Sequence, residues 1–468
     1  MRLLSDLIPR RKAHFIGIGG VGMSALAQLL LAQGVWVSGS DVKESNTTHR
    51  LETSGAVIRI GHKAEYVSDV DVVVYSSCIN SDNPEIVAAR QKNISLIPRG
   101  LLLAYLMEGK SGIAVAGAHG KTTTTALISF LLQQTAMDPS FAVGADVDLL
   151  GGNARQGCGK FFVAEADESD GSFLHLSPEF AVITNIDKEH LDYYGDLPHI
   201  IRTYGKFMRS LRDKGALFCC GDDENIRKAL KSEQGYEGRL ITYGFSDGCD
   251  IRAVEVSCRG MCSEFDCIYQ GSLLSRFKLN IPGAHNVLNA LACVGVGREL
   301  GIGVEGIAGA LEAFRGAQRR FQVKRQEGGI MVVDDYAHHP TEIMATLLAA
   351  KTWNYKRIVG VFQPHRYSRT KFLKEEFGRC FAAADSVVIT DIYAASESPI
   401  EGIAAKTIYD EVKQSGHKDV HLLSKEKLND YLMKSVREGD VLMMLGAGDI
   451  SFLTDELIKK MSANKKDG

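Results

Sequence analysis

Along most of this chain, short unbroken apolar runs alternate with longer stretches whose apolar residues recur every three or four positions, the pattern of buried parallel strands separated by packed helices. Residues 13–20 read as a strand running into a glycine-rich turn, 21–33 as a helix rich in Ala and Leu, and 35–41 as a second strand ending on an acid. Strands follow at 56–60, 70–75 and 94–98, with a helix at 83–91 between the last two. A second series begins with a strand at 113–116 and a helix at 124–132, and continues through apolar strands at 161–165, 180–185 and 216–219. The alternating stretch 250–279 predicts antiparallel strands, and 286–300 predicts a helix with small residues on one face. A third series opens at 330–335, repeats the alternation through 358–362 and 386–390, and closes on 441–448. The Lys-rich end from Lys459 reads as a frayed, solvated tail.

A chain of 468 residues exceeds one ordinary core and predicts about three domains. The boundaries fall at 1–108, 109–318 and 319–468, each an open α/β unit: a Rossmann-like first domain, a central P-loop domain and a Rossmann-like last domain. A hydrophobic fraction of 45%, a charged fraction of 24% and a net charge of -3 describe a soluble globular protein with no broad electrostatic demand for nucleic acid. No apolar run reaches the length of a bilayer-spanning helix, and residues 1–11 carry charges where a signal peptide needs an apolar region. Membrane insertion is therefore not expected, and the expected location is cytoplasmic. The ten cysteines are scattered, which fits reduced thiols. Cys258, Cys262 and Cys267 come closest to a cluster, but their spacing alternates along a strand pair and fits buried or half-buried thiols better than a metal site.

Two glycine-rich turns carry the first chemistry. Gly17, Gly19 and Gly22 follow a strand and open a helix, with Asp41 about twenty residues on, the fingerprint of a dinucleotide-binding half-fold. The run from Val115 to Thr123 is a turn entering a helix with Lys121 and Thr122 at its mouth, an arrangement that wraps phosphate oxygens in backbone N–H groups. It is shorter than the common loop, whose first glycine would fall at Val115. Two such turns in open α/β units predict an enzyme with two phosphorylated ligands, bound at the carboxyl ends of strands.

Further candidates stand at strand ends. Glu165 follows a buried strand, where a phosphate-bound Mg²⁺ needs an oxygen ligand; Asp167 and Glu168 either join it or belong to a solvated acidic loop. His190 comes shortly after the strand ending at Asn185, which favours a metal or phosphate role. Asn286 and Asn289 project from one face of a helix start, where Asn286 either reads a purine edge or caps the helix. Asp334, Asp335, Tyr336, His338 and His339 form a density of polar groups that few structural needs explain. Arg366 and Arg369 at helical spacing would make a fork for a carboxylate or phosphate, or a solvated basic helix start.

Taken together, these segments resemble the Mur ligases over nearly the whole chain. The shared segments are Gly-Ile-Gly-Gly-Val-Gly-Met-Ser from Gly17, Gly-Ala-His-Gly-Lys-Thr-Thr from Gly117, Glu-Ala-Asp-Glu-Ser-Asp-Gly-Ser-Phe from Glu165 and Thr-Asn-Ile-Asp-Lys-Glu-His from Thr184. His-Asn-Val-Leu-Asn from His285, Arg-Arg-Phe from Arg319, Asp-Asp-Tyr-Ala-His-His-Pro-Thr-Glu from Asp334 and Gln-Pro-His-Arg-Tyr-Ser-Arg-Thr from Gln363 follow in family order. The resemblance implies a first domain binding UDP rather than NAD, a central ATPase domain and a last domain bringing the amino acid. It implies that Gly117, Ala118, His119, Gly120, Lys121, Thr122 and Thr123 hold ATP, with Thr122, Glu165 and His190 around Mg²⁺. His285, Asn286 and Asn289 would sit near adenine, with Arg320 and Asp335 completing the nucleotide site. Tyr336, His338, Arg366 and Arg369 would surround L-alanine, and Gly17, Gly19, Gly20, Gly22, Ser40, Asp41, Ser76, Ser77 and Arg99 the UDP sugar. Ala118 stands where the family often has Thr, a change that backbone donors survive.

The implied reaction joins L-alanine to the lactyl carboxylate of UDP-N-acetylmuramate through an acyl phosphate, with Lys121, Glu165, His190 and His338 in the catalytic set and His338 as candidate base. A monomer or weak homodimer is the expected assembly. The alternatives are a ligase attaching a preformed peptide to the same UDP sugar, a nicotinamide-dependent oxidoreductase using the Gly17 turn, and a nucleotide-regulated binding module without catalysis.

Overall fold

The computed structural model describes residues 8, 11–212, 215–231 and 236–463; the charged start up to residue 7 and the tail from 464 lie outside them. Three sheets organise the described residues. The first contains β1 (Lys12–Ile16), β2 (Trp36–Asp41), β3 (Val57–Ile60), β4 (Val72–Tyr75) and β5 (Ser95–Pro98), all parallel in the order β3-β2-β1-β4-β5. The chain reverses direction across this sheet beside β1, so the Gly17 turn lies at a topological switch point.

The central sheet contains β6 (Ser111–Ala116), β7 (Ser140–Val147), β8 (Gly152–Arg155), β9 (Phe161–Glu165), β10 (Phe180–Ile183), β11 (Ala216–Cys220), β12 (Arg239–Gly244), β13 (Ile251–Arg259), β14 (Cys262–Tyr269) and β15 (Ser272–Leu279). Its order is β15-β14-β13-β12-β11-β10-β6-β9-β7-β8, so β6 lies between β10 and β9 and delivers the Gly117 loop beside the ends of both. The predicted antiparallel stretch is the β13-β14-β15 meander, in which Cys267 is buried and all three candidate cysteines are free thiols. The third sheet contains β16 (Gln322–Glu327), β17 (Ile330–Asp335), β18 (Arg357–Phe362), β19 (Ser386–Ile389), β20 (Val420–Leu422) and β21 (Asp440–Leu445) in the order β16-β17-β21-β18-β19-β20. Only β16 runs antiparallel there, as the polar edge strand of an otherwise parallel sheet. No helix among the described residues is long and apolar enough to cross a membrane.

The helix Lys121–Gln134 is buried from Thr122 to Leu132 because it packs between the central sheet and the helix Ala284–Glu299. Small residues of the second helix allow close approach on two sides: a side chain at Gly297 would crowd Leu131 of the first helix, and one at Gly295 would crowd Ile251 of β13. One apolar core runs without a break from the first sheet into the central sheet, joining Phe15 and Leu26 to Phe141 and Phe173. The third sheet has separate cores on its two faces, and Leu191 and Met261 from the central unit pack on the edge of one. The first two units are therefore welded by apolar packing, whereas the third docks mainly through polar contacts. The Lys-rich end is not frayed at Lys459: the helix Ile450–Ala463 carries it, and Lys460 pairs with Asp430 at 2.9 Å.

A buried polar network crosses the first sheet. Glu85 Oε2 meets His14 Nε2 at 2.7 Å and accepts from the Ser40 hydroxyl at 2.8 Å, while Glu85 Oε1 lies 2.9 Å from His62 Nδ1 and Ser38 completes the chain at His14 Nδ1. His14, Ser40 and Glu85 are fully buried, so truncating Glu85 leaves two imidazoles and a hydroxyl without their shared acceptor. We expect Glu85→Ala to lower unfolding stability by about 3–5 kcal/mol in urea titrations; a loss under ~1 kcal/mol would mean that water replaces the carboxylate.

Candidate active site

The centre of the site is the start of the helix Lys121–Gln134. Gly120 occupies the position before it with φ 82, and Gly117 has φ 139, backbone states that disfavour a side chain. A Cβ on Gly117 would lie 1.9 Å from Thr184 Oγ1, and one on Gly120 would lie 2.6 Å from Asn289 Oδ1, so both glycines are required by space as well. Asn185 fixes the loop by accepting from Ala118 N at 3.2 Å and His119 N at 2.8 Å, and by donating to His119 O at 3.0 Å. The N–H groups of the first helical turn have no intrahelical acceptor and carry positive potential.

Two cavities meet at this helix start. One of about 460 Å³ is lined by His119, Gly120, Thr123, Asn286, Asn289 and Asp335. The other, of about 230 Å³, is lined by Gly22, Arg99, Thr122, Glu165, Asp167 and Tyr336. Arg320 lines both, with a guanidinium nitrogen 3.4 Å from Thr122 Oγ1. Tyr336 supports that arginine, its ring centroid 5.1 Å from the guanidinium carbons of both Arg319 and Arg320. The larger cavity lies between the central and third units, and the smaller between the first and central units with Arg320 and Tyr336 closing it.

The polar groups around the helix start form a charged cluster. Glu165 Oε2 accepts from Thr122 Oγ1 at 3.0 Å and from Gly144 N at 2.8 Å. Lys121 meets Glu168 at 2.8 Å, and His190 Nε2 lies 3.8 Å from the same Glu168 oxygen. Asp167 pairs with Arg99 across the junction with the first unit. Burial opposes the charge on Asp167, but Arg99 and then Lys121 hold its carboxyl well below the usual range. Asp335 is pushed up to about 6 by burial, although Ala337 N, Phe321 N and the Thr346 hydroxyl donate to it.

The third unit docks against residues 187–192 by successive polar contacts. Asp187 accepts from Thr341 Oγ1 at 2.7 Å and meets His119 Nε2 at 3.0 Å. Lys188 pairs with Glu376 at 3.1 Å, Glu189 with Arg369 at 2.9 Å and Asp192 with Arg366 at 3.3 Å. Burial would raise Glu189, yet Arg369 holds it well below the carboxylate range. On the other side of His119, Glu342 Oε1 lies 3.3 Å from Nδ1. Burial disfavours the charge on this imidazole, but Asp187 and Glu342 outweigh it and raise its pKa to about 9. His338 is the opposite case: burial first, then Arg369, lowers it to about 3. Its Nδ1 lies 3.0 Å from Tyr336 O, the contact of an N–H donor, which leaves Nε2 with the lone pair.

Most of the expected nucleotide set converges on the larger cavity, including His285, Asn286, Asn289, Arg320 and Asp335. Burial keeps His285 neutral, its pKa down to about 4. Asn286 is not a cap: Gly283 holds that position, and the Asn286 amide donates to Pro282 O at 2.7 Å and accepts from Asn289 at 3.0 Å. Of the expected UDP-sugar set, Gly22 and Arg99 line the smaller cavity, and an added Cβ on Gly22 would lie 2.8 Å from the Arg99 guanidinium. Gly17 N donates to Ser40 O, and Gly20 precedes the helix Val21–Ala32. Asp41 accepts from Gly19 N at 2.9 Å, and the Ser40 hydroxyl turns inward to Glu85. Ser76 and Ser77 follow β4, with Ser76 half-buried and Ser77 exposed. Arg366 and Arg369 do not make one fork, because Arg366 sits before the helix Tyr367–Phe372 at φ 71 and each arginine has its own acidic partner.

Several functional neighbours were not singled out by sequence reasoning. Glu189, Asp187 and Glu342 matter only once the third unit is docked; all three lie inside the shared segments from Thr184 and Asp334, and Glu342 is also the third helical residue of a capping box begun by His339.

Comparison with known proteins follows the three units. Residues 12–111 match the model described as Mur ligase family, catalytic domain, residues 115–297 match Mur ligase middle domain, and residues 319–448 match Mur ligase, glutamate ligase domain. A UDP-N-acetylmuramate--L-alanine ligase of Trichlorobacter lovleyi is 49% identical over 453 residues, covering 96% of this chain and 99% of the relative. A solved UDP-N-acetylmuramate-alanine ligase of Thermotoga maritima superposes with a TM-score of 0.83 at 32% identity, over 97% of this chain and 99% of that one. A murein peptide ligase of Psychrobacter arcticus shares the fold, with a TM-score of 0.73 at 22% identity over 96% and 98% of the two chains.

The His119 contacts predict a pH dependence. Its pKa rises from 6.5 unfolded to about 9 folded, so its contribution to stability is complete below pH 6.5 and is lost as pH rises through about 9. The thermal stability of the parent relative to His119→Gln is expected to be constant below that window and to shrink across it. A difference that stays flat across the window would mean the imidazole is neutral in the folded protein.

Proposed function

The chain belongs to the Mur ligase family, and from that premise we propose that it joins L-alanine to the lactyl carboxylate of UDP-N-acetylmuramate while converting ATP to ADP and phosphate. The observation that carries this reading is the meeting of two cavities at one helix start, with Arg320 in both walls. Adenine takes the larger cavity beside Asn286 and Asn289, and the triphosphate lies along Gly117 to Thr123. The γ-phosphate then faces the smaller cavity, where the lactyl carboxylate arrives with its UDP on the Gly17 turn and Arg99.

A carboxylate is a poor electrophile, so it is first activated. One carboxylate oxygen attacks the γ-phosphorus, the bond to the β-phosphate oxygen breaks, and ADP leaves an acyl phosphate. Lys121, Arg320 and the helix start offset the negative charge that moves in this step. The neutral amine of L-alanine then attacks the carbonyl carbon, and phosphate departs with the original carboxylate oxygen. His338 is the proposed proton acceptor, because burial keeps it neutral and Nε2 holds its lone pair. Its low basicity means that it receives the proton as the C–N bond forms rather than before. We assign the amino-acid carboxylate to Arg366, whose contact with Asp192 is partly exposed, since Arg369 is buried against Glu189.

Thr122, Glu165 and His190 are the residues that would hold Mg²⁺: a hydroxyl and a carboxylate in contact line the smaller cavity beside the phosphate loop, His190 lies 3.8 Å from Glu168, and Glu168 has a buried oxygen without a partner. Bound there, the ion would add positive charge at the phosphoryl oxygens. All residues in this scheme come from one chain, so a monomer suffices, and a substrate set of ATP and a UDP sugar fits a cytoplasmic reaction.

Phosphate release with UDP-N-acetylmuramate, ATP and a panel of L-alanine, glycine, L-serine and a peptide tests the reading. Turnover is expected to be fastest with L-alanine, and turnover with the peptide alone would assign a recycling ligase instead. Lys121→Ala is expected to lower turnover by at least about a hundredfold, and Arg366→Ala to raise the KM for alanine more than that for ATP. An unchanged alanine KM would move the amino-acid carboxylate elsewhere.

A further inference from the structure

The loop 165–170 holds four acids, and Glu168 is the one whose role the contacts above leave open: Glu165 faces the phosphate site, Asp167 pairs with Arg99 and Asp170 accepts from Ser172 N. Glu168 is 2% exposed, deep in the cluster rather than on a solvated loop. One of its oxygens receives Lys121 Nζ at 2.8 Å, and the other is buried with no hydrogen-bond partner. Lys121 also donates to Gly117 O at 2.5 Å and Ala118 O at 3.1 Å, so all three ammonium protons point back into protein. The lysine that must serve the phosphates is thus folded over its own loop.

We propose that Glu168 holds Lys121 over the loop in the nucleotide-free protein and becomes a cation ligand when a triphosphate takes the lysine, so that Glu168 makes nucleotide binding depend on a divalent ion. The proposal rests on the assignment of the Gly117 loop to ATP. Charge arithmetic drives it. Glu165 and Glu168 share Lys121 as their near counter-charge, because Asp167 is already neutralised by Arg99. When Lys121 turns to the phosphates, Glu168 loses its close ion-pair partner as a polyanion arrives, a change that a cation held by Glu168 would offset. Two groups are available to hold that cation: the unpartnered Glu168 oxygen, and His190 Nε2, which lies 3.8 Å from the other Glu168 oxygen. Burial already pushes the Glu168 carboxyl up, which shows how little solvent compensates it.

The test uses the full chain and an ATP analogue with a methylene between the β- and γ-phosphorus atoms, measured by calorimetry in EDTA and in saturating Mg²⁺ without UDP sugar. Removing the charge at Glu168 is expected to tighten metal-free binding and to reduce the Mg²⁺ enhancement of affinity. For Glu168→Gln the ratio of the two dissociation constants should fall by at least about fivefold, the lower end of ordinary coupling between two ligands. The same comparison between Lys121→Met and Lys121→Met/Glu168→Gln removes the lysine, and with it the clamp; the Mg²⁺ ratio is still expected to fall. This pair also serves if Glu168→Gln alone does not fold, since it deletes both members of the buried pair. A Mg²⁺ ratio unchanged by Glu168→Gln in both backgrounds, or reduced only where Lys121 is present, overturns the cation role and with it the proposal. Failure of the parent to bind the analogue in Mg²⁺ overturns the nucleotide assignment itself, a result distinct from either.

Discussion

Everything in this molecule is arranged around one crowded helix start. Gly117 and Gly120 let backbone pass within contact of Thr184 and Asn289, and that closeness aims the first turn of the helix Lys121–Gln134 at the junction of two cavities. The order of the central sheet makes this possible, because β6 emerges between the strands that supply Glu165 and Asn185. A helix start provides fixed positive potential without desolvating a charged side chain, so it can accept phosphate oxygens at little reorganisation cost.

The chemistry requires three units to meet, and the structure joins them by different forces. The first and central units share one apolar core, which fixes the Gly17 turn and Arg99 relative to the phosphate loop. The third unit has its own cores and meets residues 187–192 through ion pairs, including the buried Glu189–Arg369 pair. Such pairs contribute less net stability than apolar packing of equal area, yet they fix geometry when formed. A polar interface of this kind suits a unit that opens for substrates and closes for reaction. His119 ties the two ideas together, since it belongs to the phosphate loop and also carries the charge that Asp187 and Glu342 share across the interface.

Much of this was legible in the residues. The alternation of apolar strands and helices gave the three α/β units, and the helices at Lys121 and Ala284 lie where the periodicity puts them. Strands β7, β8, β12, β16 and β20 escaped; β8, β16 and β20 did so because three to six residues without alternation carry no periodic signal. Glu165 and Lys121 were legible because a motif names them by position, whereas Asp167 and Glu168 were not separable from a solvated acidic run until Arg99 and Lys121 stood against them. The Arg366 and Arg369 pair misled through spacing: the helix begins only after Arg366, whose left-handed backbone turns the two side chains to different partners. The His14–Glu85 network had no signal, since its members are 71 residues apart and meet only when the sheet has formed.

The central claim is that the lactyl carboxylate attacks phosphorus at this helix start before any amide forms. Transfer of oxygen tests it most directly. With ¹⁸O in both carboxylate oxygens of UDP-N-acetylmuramate, the account predicts that each phosphate released during ligation to L-alanine carries one labelled oxygen. Phosphate without label, with amide formed at the normal rate, would mean that ATP is cleaved by water or at another group, and would contradict the account.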